Sequence, residues 1–144
     1  MIRTFKSLGA LARHLEAVAA AMPEAEYRIL RLAGATVQRI ARDKLGHYQE
    51  GWPELASSTI ADKERNGWPV PSPELRSGAM SDSITFEVGP RSVTIGSESP
   101  IAAWQEFGTS KMPARPFLGP AMIEAEPEIK AIAVGEVMRT FRER

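Results

Sequence analysis

Apolar residues recur near the start of the chain at spacings of three and four: Phe5, Leu8, Leu11, Ala12, Leu15, Val18, Ala19 and Met22. That period puts them on one stripe of a helix. A second stripe runs through Tyr27, Leu30, Ala33, Val37, Ile40, Ala41 and Leu45, with Arg28, Arg31, Gln38, Arg39 and Arg42 on its outer face. Pro23 lies between the stripes and ends or kinks the helix. The two stripes therefore form either a helical hairpin or one long, bent helix. Gly46 and Gly51 bracket the exit.

A short helix is predicted from Pro53 to about Arg65, with Trp52, Ala56 and Ile60 on one side and Asn66-Gly67 as its stop. Trp68-Pro69-Val70-Pro71-Ser72-Pro73 excludes regular helix and reads as an extended connection. A turn of helix follows at Leu75–Met80. Ile84, Phe86 and Val88 then alternate with Thr85 and Glu87, and Val93 and Ile95 alternate about Thr94. These are two half-buried strands joined by the turn residues Gly89-Pro90-Arg91-Ser92. An isolated hairpin is marginal, so a third or fourth strand is expected, with Met112–Leu118 as a candidate. Met122, Ile123, Ile129, Ile132, Ala133, Val137 and Phe141 give a last helix, broken by Pro127 near Glu126. The fold class is α+β: N-terminal helices, a small antiparallel β-sheet with a central hairpin, and a C-terminal helix. We read one domain over 1–144, with a helical half 1–66, a Pro-rich connection 67–74, and a β half with the C-terminal helix 75–144.

The most constrained stretch is Trp104-Gln105-Glu106-Phe107-Gly108-Thr109-Ser110-Lys111-Met112-Pro113-Ala114-Arg115-Pro116-Phe117-Leu118-Gly119-Pro120. Trp104 and Phe107 sit three apart, so a helical turn aims both rings the same way. Gly108 stops that turn. Pro113 and Pro116 hold Arg115 on an extended strut, and Pro120 suits a first helical position. Phe107 and Phe117 anchor the ends of this segment, and the small polar residues between them form a mobile tip. Of Trp52, Trp68, Trp104, Phe107 and Phe117, roughly three belong to the core on the burial habits of aromatic residues. Trp68 is the exposed exception, an interface anchor among prolines. Arg115 either pairs with Glu106 or Glu98, or is a hydrogen-bond hub within or between subunits.

Gln-Glu-Phe-Gly-Thr followed by Met-Pro-Ala-Arg-Pro-Phe-Leu-Gly resembles the signature of the virion-morphogenesis (tail-completion) proteins of tailed phages. Trp52-Pro53-Glu54-Leu55 with Thr59, Ile60 and Lys63 resembles an upstream segment of those proteins. Leu75-Arg76-Ser77-Gly78-Ala79-Met80 with Ser83-Ile84 resembles a third. The resemblance covers about Trp52 to Met122, in the family's order. Met80 stands where leucine is usual, and Ala103-Trp104 where Tyr-Ala is common. The resemblance implies a small antiparallel sheet backed by helices. It also implies a structural role at the phage neck or tail end, in tail completion or head–tail joining. Its partners are then further copies of the chain in a homo-oligomeric ring, other phage neck or tail proteins, and DNA that passes without tight binding. The implied location is the host cytoplasm during assembly and then the virion. Trp68, Lys111, Met112 and Arg115 are the interface candidates. Trp104, Phe107, Gly108, Pro113, Pro116, Phe117 and Leu118 are the structural motif.

Composition narrows the chemistry. At 144 residues, 43% hydrophobic and 25% charged, the chain fits one globular core. Eighteen basic residues balance eighteen acidic ones, so no global field draws it to nucleic acid or membrane. Residues 1–50 carry a net +3 and the remainder a net −3, an asymmetry that favours self-association. With no cysteine, disulfides and thiolate zinc sites are excluded. The N-terminal apolar run is interrupted by Arg13, His14 and Glu16, which favours an amphipathic helix over a signal peptide. His14 reads as a surface residue and His47 as a helix-capping one. Ser57 or Ser58, His47 and Asp62 form no recognisable nucleophile motif. Gly108-Thr109-Ser110-Lys111 lacks the glycine and residue order of a phosphate loop. No catalytic residue, metal site or cofactor is expected, and no membrane partner. The alternative to a structural role is a DNA-contacting packaging accessory protein of a phage or prophage, using the arginine face of the second stripe. A solvated face is the favoured reading of those arginines.

Overall fold

The computed structural model describes residues 3–144. In chain order the elements are α1 (Leu8–Lys44), α2 (Ser57–Arg65), α3 (Ala79–Asp82), β1 (Ile84–Val88), β2 (Val93–Ser97), α4 (Pro100–Phe107) and α5 (Leu118–Glu143). The architecture is α+β, helix-rich, with one two-stranded antiparallel sheet and a C-terminal helix.

The two N-terminal stripes form one helix. Ser7 caps it, its Oγ accepting from the Ala10 amide, and the helix continues through Pro23 for 37 residues. Pro127 likewise lies inside α5, which runs unbroken for 26 residues, so the expected break near Glu126 is absent. Both prolines are on exposed positions, as are Ala19 and Ile123, whose carbonyls lose their usual donors to them. On a solvent-facing side water takes over those carbonyls, and packing of the other face offsets a cost of about 3 kcal/mol. α5 begins two residues earlier than expected, so Pro120 is its third residue. Its missing N–H is still one the helix would leave unpaired.

α1 and α5 pack antiparallel. Arg28 meets Glu136 at 2.8 Å, Arg39 meets Glu128 at 2.8 Å and Lys44 meets Glu124 at 2.6 Å, so numbers rise on one helix as they fall on the other. The hydrogen bond from Arg28 holds the Glu136 carboxyl below its usual range. The arginine face is therefore divided: Arg28 is half-buried against Glu136, whereas Arg39 pairs with Glu128 while staying exposed, as the solvated reading expects. Arg42 too is engaged, donating to the Ser81 and Ile84 carbonyls at 3.0 and 2.9 Å. Arg31 remains exposed.

The hairpin has the predicted register sense. Phe86 pairs with Ile95 and Val88 with Val93, while Thr85, Glu87 and Thr94 face out. It lies against α1 instead of recruiting more strands. Gly34 permits this approach, because a Cβ there would lie 2.5 Å from Phe86 Cδ2 and 2.8 Å from Val93 Cγ2. Among the described residues no third strand forms. Of the candidate Met112–Leu118, the residues to Phe117 are irregular apart from a single bridge between Thr109 and Met112, and Leu118 already belongs to α5.

Val37, Ile40, Ala41, Leu45, Met80, Ile84, Ala102, Phe117, Ala121 and Ala125 make the core. Only the second N-terminal stripe feeds it. In the first stripe, Leu8, Ala12, Leu15 and Ala19 are exposed, and Val18 alone is buried. His14 is not a free surface residue but half-buried, its ring 5.0 Å from Phe5 and 6.3 Å from Phe141. Among the described residues no helix is long and apolar enough to cross a membrane.

Candidate functional site

The stretch around Arg115 is built from polar groups that reach backbone atoms. α4 ends at Gly108, whose amide donates to the Trp104 carbonyl. Glycine is required there: φ is 74°, and a Cβ would sit 2.8 Å from the Ala114 nitrogen. Two residues earlier, Glu106 points its carboxylate at the start of α5. It accepts from the amides of Phe117, Leu118 and Gly119 at 2.8, 2.9 and 2.8 Å. An anion at a helix N-terminus satisfies orphan donors and complements the helix dipole. Glu106 thus caps a helix eleven residues away in sequence, and Arg115 has no need to pair with it.

Of the two readings open for Arg115, an acid pair or a hydrogen-bond hub, the structure shows a hub, and an internal one. Its side chain is buried, with the residue 6% exposed. Nε and Nη2 donate to the Pro53 carbonyl at 3.2 and 3.0 Å, and Nη2 also donates to the Glu54 carbonyl at 3.0 Å. Its own amide donates to the Gln105 carbonyl at 2.7 Å. Trp52 adds a bond from Nε1 to the Pro116 carbonyl at 3.2 Å. These bonds explain why α2 starts at Ser57 instead of Pro53. The carbonyls of Pro53 and Glu54 are given to Arg115, and Ala56 is extended at φ −62° and ψ 145°. Arg115 is therefore not an exposed interface contact.

The aromatic residues divide differently from the expectation. Phe117 is 1% exposed and Trp52 packs on the core, but Trp104 is 51% and Phe107 81% exposed. Phe107 anchors nothing. Trp68 is half-buried, and the Arg76 guanidinium lies 4.7 Å from its ring centroid while also pairing with Asp62 at 3.6 Å. It is not the exposed anchor its proline neighbours suggest. Lys111 is exposed and Met112 half-buried. The tip between them and Thr109 is closed by its own bonds: Thr109 N to the Met112 carbonyl at 2.8 Å, and Met112 N to the Thr109 carbonyl at 3.3 Å. Pro113 is exposed, while Pro116 and Leu118 are half-buried.

Lys63 and Glu74 are the residues that sequence reasoning missed. Lys63 is 2% exposed, and its ammonium donates to the carbonyls of Pro69, Ser72 and Leu75. All three of its donors are used, and burial lowers its pKa, with the nearby Arg76 charge acting in the same direction. The available signal was chemical: a proline-rich segment has carbonyls but few N–H groups, so a donor must come from outside it. Glu74 follows at a left-handed φ of 60°. Burial pushes its carboxyl up to about 8, with Arg115 opposing and Glu106 adding to the shift.

Glu74, Trp104, Lys111, Met112, Pro113 and Arg115 line one cleft of about 510 Å³, to which α2 contributes Thr59 and Lys63. The structure therefore brings together three of the four interface candidates and leaves out Trp68. Ser57, Ser58, His47 and Asp62 do not converge. Asp62 pairs with Arg76 and Asn66, and His47 Nδ1 lies 3.2 Å from the Asp43 carbonyl, as suits a residue at a helix end. Among the described residues no group of three or more His, Asp or Glu side chains is placed to hold a metal ion.

No known protein family, curated protein or solved structure matches this chain.

Proposed function

We propose that this chain is a structural assembly protein of the tail-completion or head–tail joining kind, acting at a phage neck or tail end through subunit contacts. The reading comes from the resemblance of Gln105–Gly119 and of the two upstream segments to the tail-completion signature. One observation in the fold supports it above others. Trp104 and Phe107 are exposed on a helix whose end is fastened by Gly108, Glu106 and Arg115. Large rings held rigidly in solvent are what interface anchors look like, whereas a core motif would bury them. The motif's polar residues, meanwhile, are spent on backbone atoms. They offer no paired acid and base for bond-making chemistry, and the proposal includes no enzymatic activity.

On this reading the protein forms a homo-oligomeric ring, meets other neck or tail proteins, lets DNA pass without binding it tightly, and makes no membrane contact. It works in the host cytoplasm during assembly and then in the virion. The packaging-accessory alternative has less support, since Arg28, Arg39 and Arg42 are engaged with Glu136, Glu128 and backbone carbonyls.

The test is a pair of variants. Phe107→Ser, at an exposed position, is expected to change stability by no more than about 0.5 kcal/mol. Replacing Thr109–Met112 with a glycine-serine linker is expected to leave the melting temperature nearly unchanged. Both should stop ring formation, read by light scattering, and complementation of particle assembly. Variants that assemble and complement normally would remove this face from the interface.

A further inference from the structure

The cleft beside Arg115 has a feature that a mere gap between elements would lack. Both carboxyl oxygens of Glu74 and Oε1 of Gln105 are buried on it, and no donor among the described residues reaches any of them. Buried polar atoms are nearly always paired, because an unmet acceptor has lost its water without gaining a donor. Glu74 is placed there by a backbone in the left-handed region, a conformation that few glutamates adopt. Strain and unmet polar atoms at one place are a common mark of a ligand site.

The walls restrict what fits. Leu55, Met80, Ile101, Trp104 and Met112 supply apolar surface. Trp104 and Ile101 are exposed on the rim, so that surface is open to a visitor. The charges are lopsided. Lys63, Arg76, Lys111 and Arg115 lie against Glu54 and Glu74 alone. Lys63 and Arg115 are already bonded to carbonyls; Lys111 is exposed at the edge, as is Arg76, which also pairs with Asp62 at 3.6 Å and lies over Trp68. A cation would meet four others there. An anion would be drawn to the rim.

We infer that this cleft is a docking site for an extended peptide segment of a partner, one carrying an apolar side chain beside an acidic group. Its apolar side chain lies against Trp104, Ile101 and Met112. With the Gln105 and Glu74 side chains turned from their buried positions into the cleft, its backbone N–H groups donate to their oxygens, and its acid meets Arg76 and Lys111. An extended strand is the polymer that presents donors at regular intervals without side-chain charge, which is what separates it from a lysine or arginine side chain. The inference rests on the reading of this face as an interface, and adds the chemistry of what the face recognises.

Glu74 makes the recognition dependent on pH. Besides Arg115 and Glu106, the charged groups around it are Lys63, Arg76, Lys111 and Glu54. While protonated, it presents a donor and an acceptor and does not repel an acid. Once ionised above about 8, it opposes the acidic group of the segment.

Three probes with one side chain separate the possibilities by nuclear magnetic resonance on the full chain: N-acetyl-leucine, N-acetyl-leucinamide and leucinamide. N-acetyl-leucine is expected to shift the Trp104 indole and Gln105 side-chain signals, with a Kd on the order of 1–10 mM. N-acetyl-leucinamide should bind several-fold more weakly, and leucinamide about tenfold more weakly, because it brings a cation. Binding of N-acetyl-leucine should weaken as pH rises through about 8, and Glu74→Gln should bind with no such fall. Gln105→Leu, which removes an acceptor without touching Glu74, should weaken all three probes. Tightest binding by leucinamide would show a cation site and overturn the inference. So would the absence of shifts with every probe, or an unchanged pH profile in Glu74→Gln. These measurements need no particle assembly, so their failure leaves the assembly tests above standing.

Discussion

Two regions of this molecule are held together by different physics. The frame of α1, α5 and the hairpin is joined by apolar contact: Val37, Ile40 and Ala41 against Ile84, Ala121 and Ala125. The region between the hairpin and α2, from Gly46 to Asp82 and from Ser97 to Phe117, has few regular elements and few apolar residues in the core. There the links are single polar side chains on backbone atoms. Lys63 reaches three carbonyls, Arg115 two, and Glu106 three amides. The contrast follows from one requirement. Every buried backbone N–H and C=O needs a partner, and long helices provide theirs internally. A proline-broken chain does not, so charged side chains take over and are buried as a consequence.

Phe117 sits where the regions meet and tests whether apolar packing dominates at the junction. Phe117→Ala is expected to cost about 3–5 kcal/mol in denaturant unfolding, the range for truncating a buried aromatic ring. A loss under about 1 kcal/mol would mean the junction is held by its polar bonds alone. Lys63→Met keeps the length and apolar stem but takes the ammonium from three carbonyls, of which only that of Ser72 keeps another donor, the Leu75 amide at 3.4 Å. It should cost about 2–4 kcal/mol, with amide exchange rising first in residues 68–75 and not in α1. Uniformly faster exchange would erase the distinction between the two regions.

Glu74 sharpens the comparison through pH. Its native carboxyl keeps the proton up to about 8, whereas an ordinary one ionises above 4.5. Unfolding therefore releases a proton between these values, and stability falls as pH rises through that window. Glu74→Gln removes the penalty. It should match the parent near pH 4.5 and exceed it above about pH 8, by on the order of 2 kcal/mol, less than the full shift because Glu74 as a whole is only half-buried. A parent whose stability is flat across this window would show Glu74 to be hydrated. The smallest effect is expected for Glu106→Gln, which keeps one acceptor oxygen for the amides of α5 but loses the charge. A loss of about 1 kcal/mol fits capping and dipole terms, and added salt should narrow the gap.

The sequence by itself determined what depends on period and local conformation. Alternation at Ile84–Val88 and Val93–Ser97 marked the hairpin, and spacings of three and four marked both long helices. The conformational freedom of Gly108 marked the end of α4. Two prolines marked Arg115 as held on an extended strut, but whether its guanidinium met an acid or backbone carbonyls stayed open until the fold brought Pro53 and Glu54 beside it. Tertiary structure decided the rest. Whether Pro23 and Pro127 break their helices depends on which face meets solvent, and that is set by the partner helix. Whether the hairpin needs a third strand depends on α1 being free to cover it at Gly34. The exposure of Trp104 and Phe107, the burial of Lys63 and the isolation of Glu74 share one physical reason. Each depends on which distant backbone atoms arrive beside the residue, and a pattern along the chain carries no record of neighbours brought in from ten or sixty residues away.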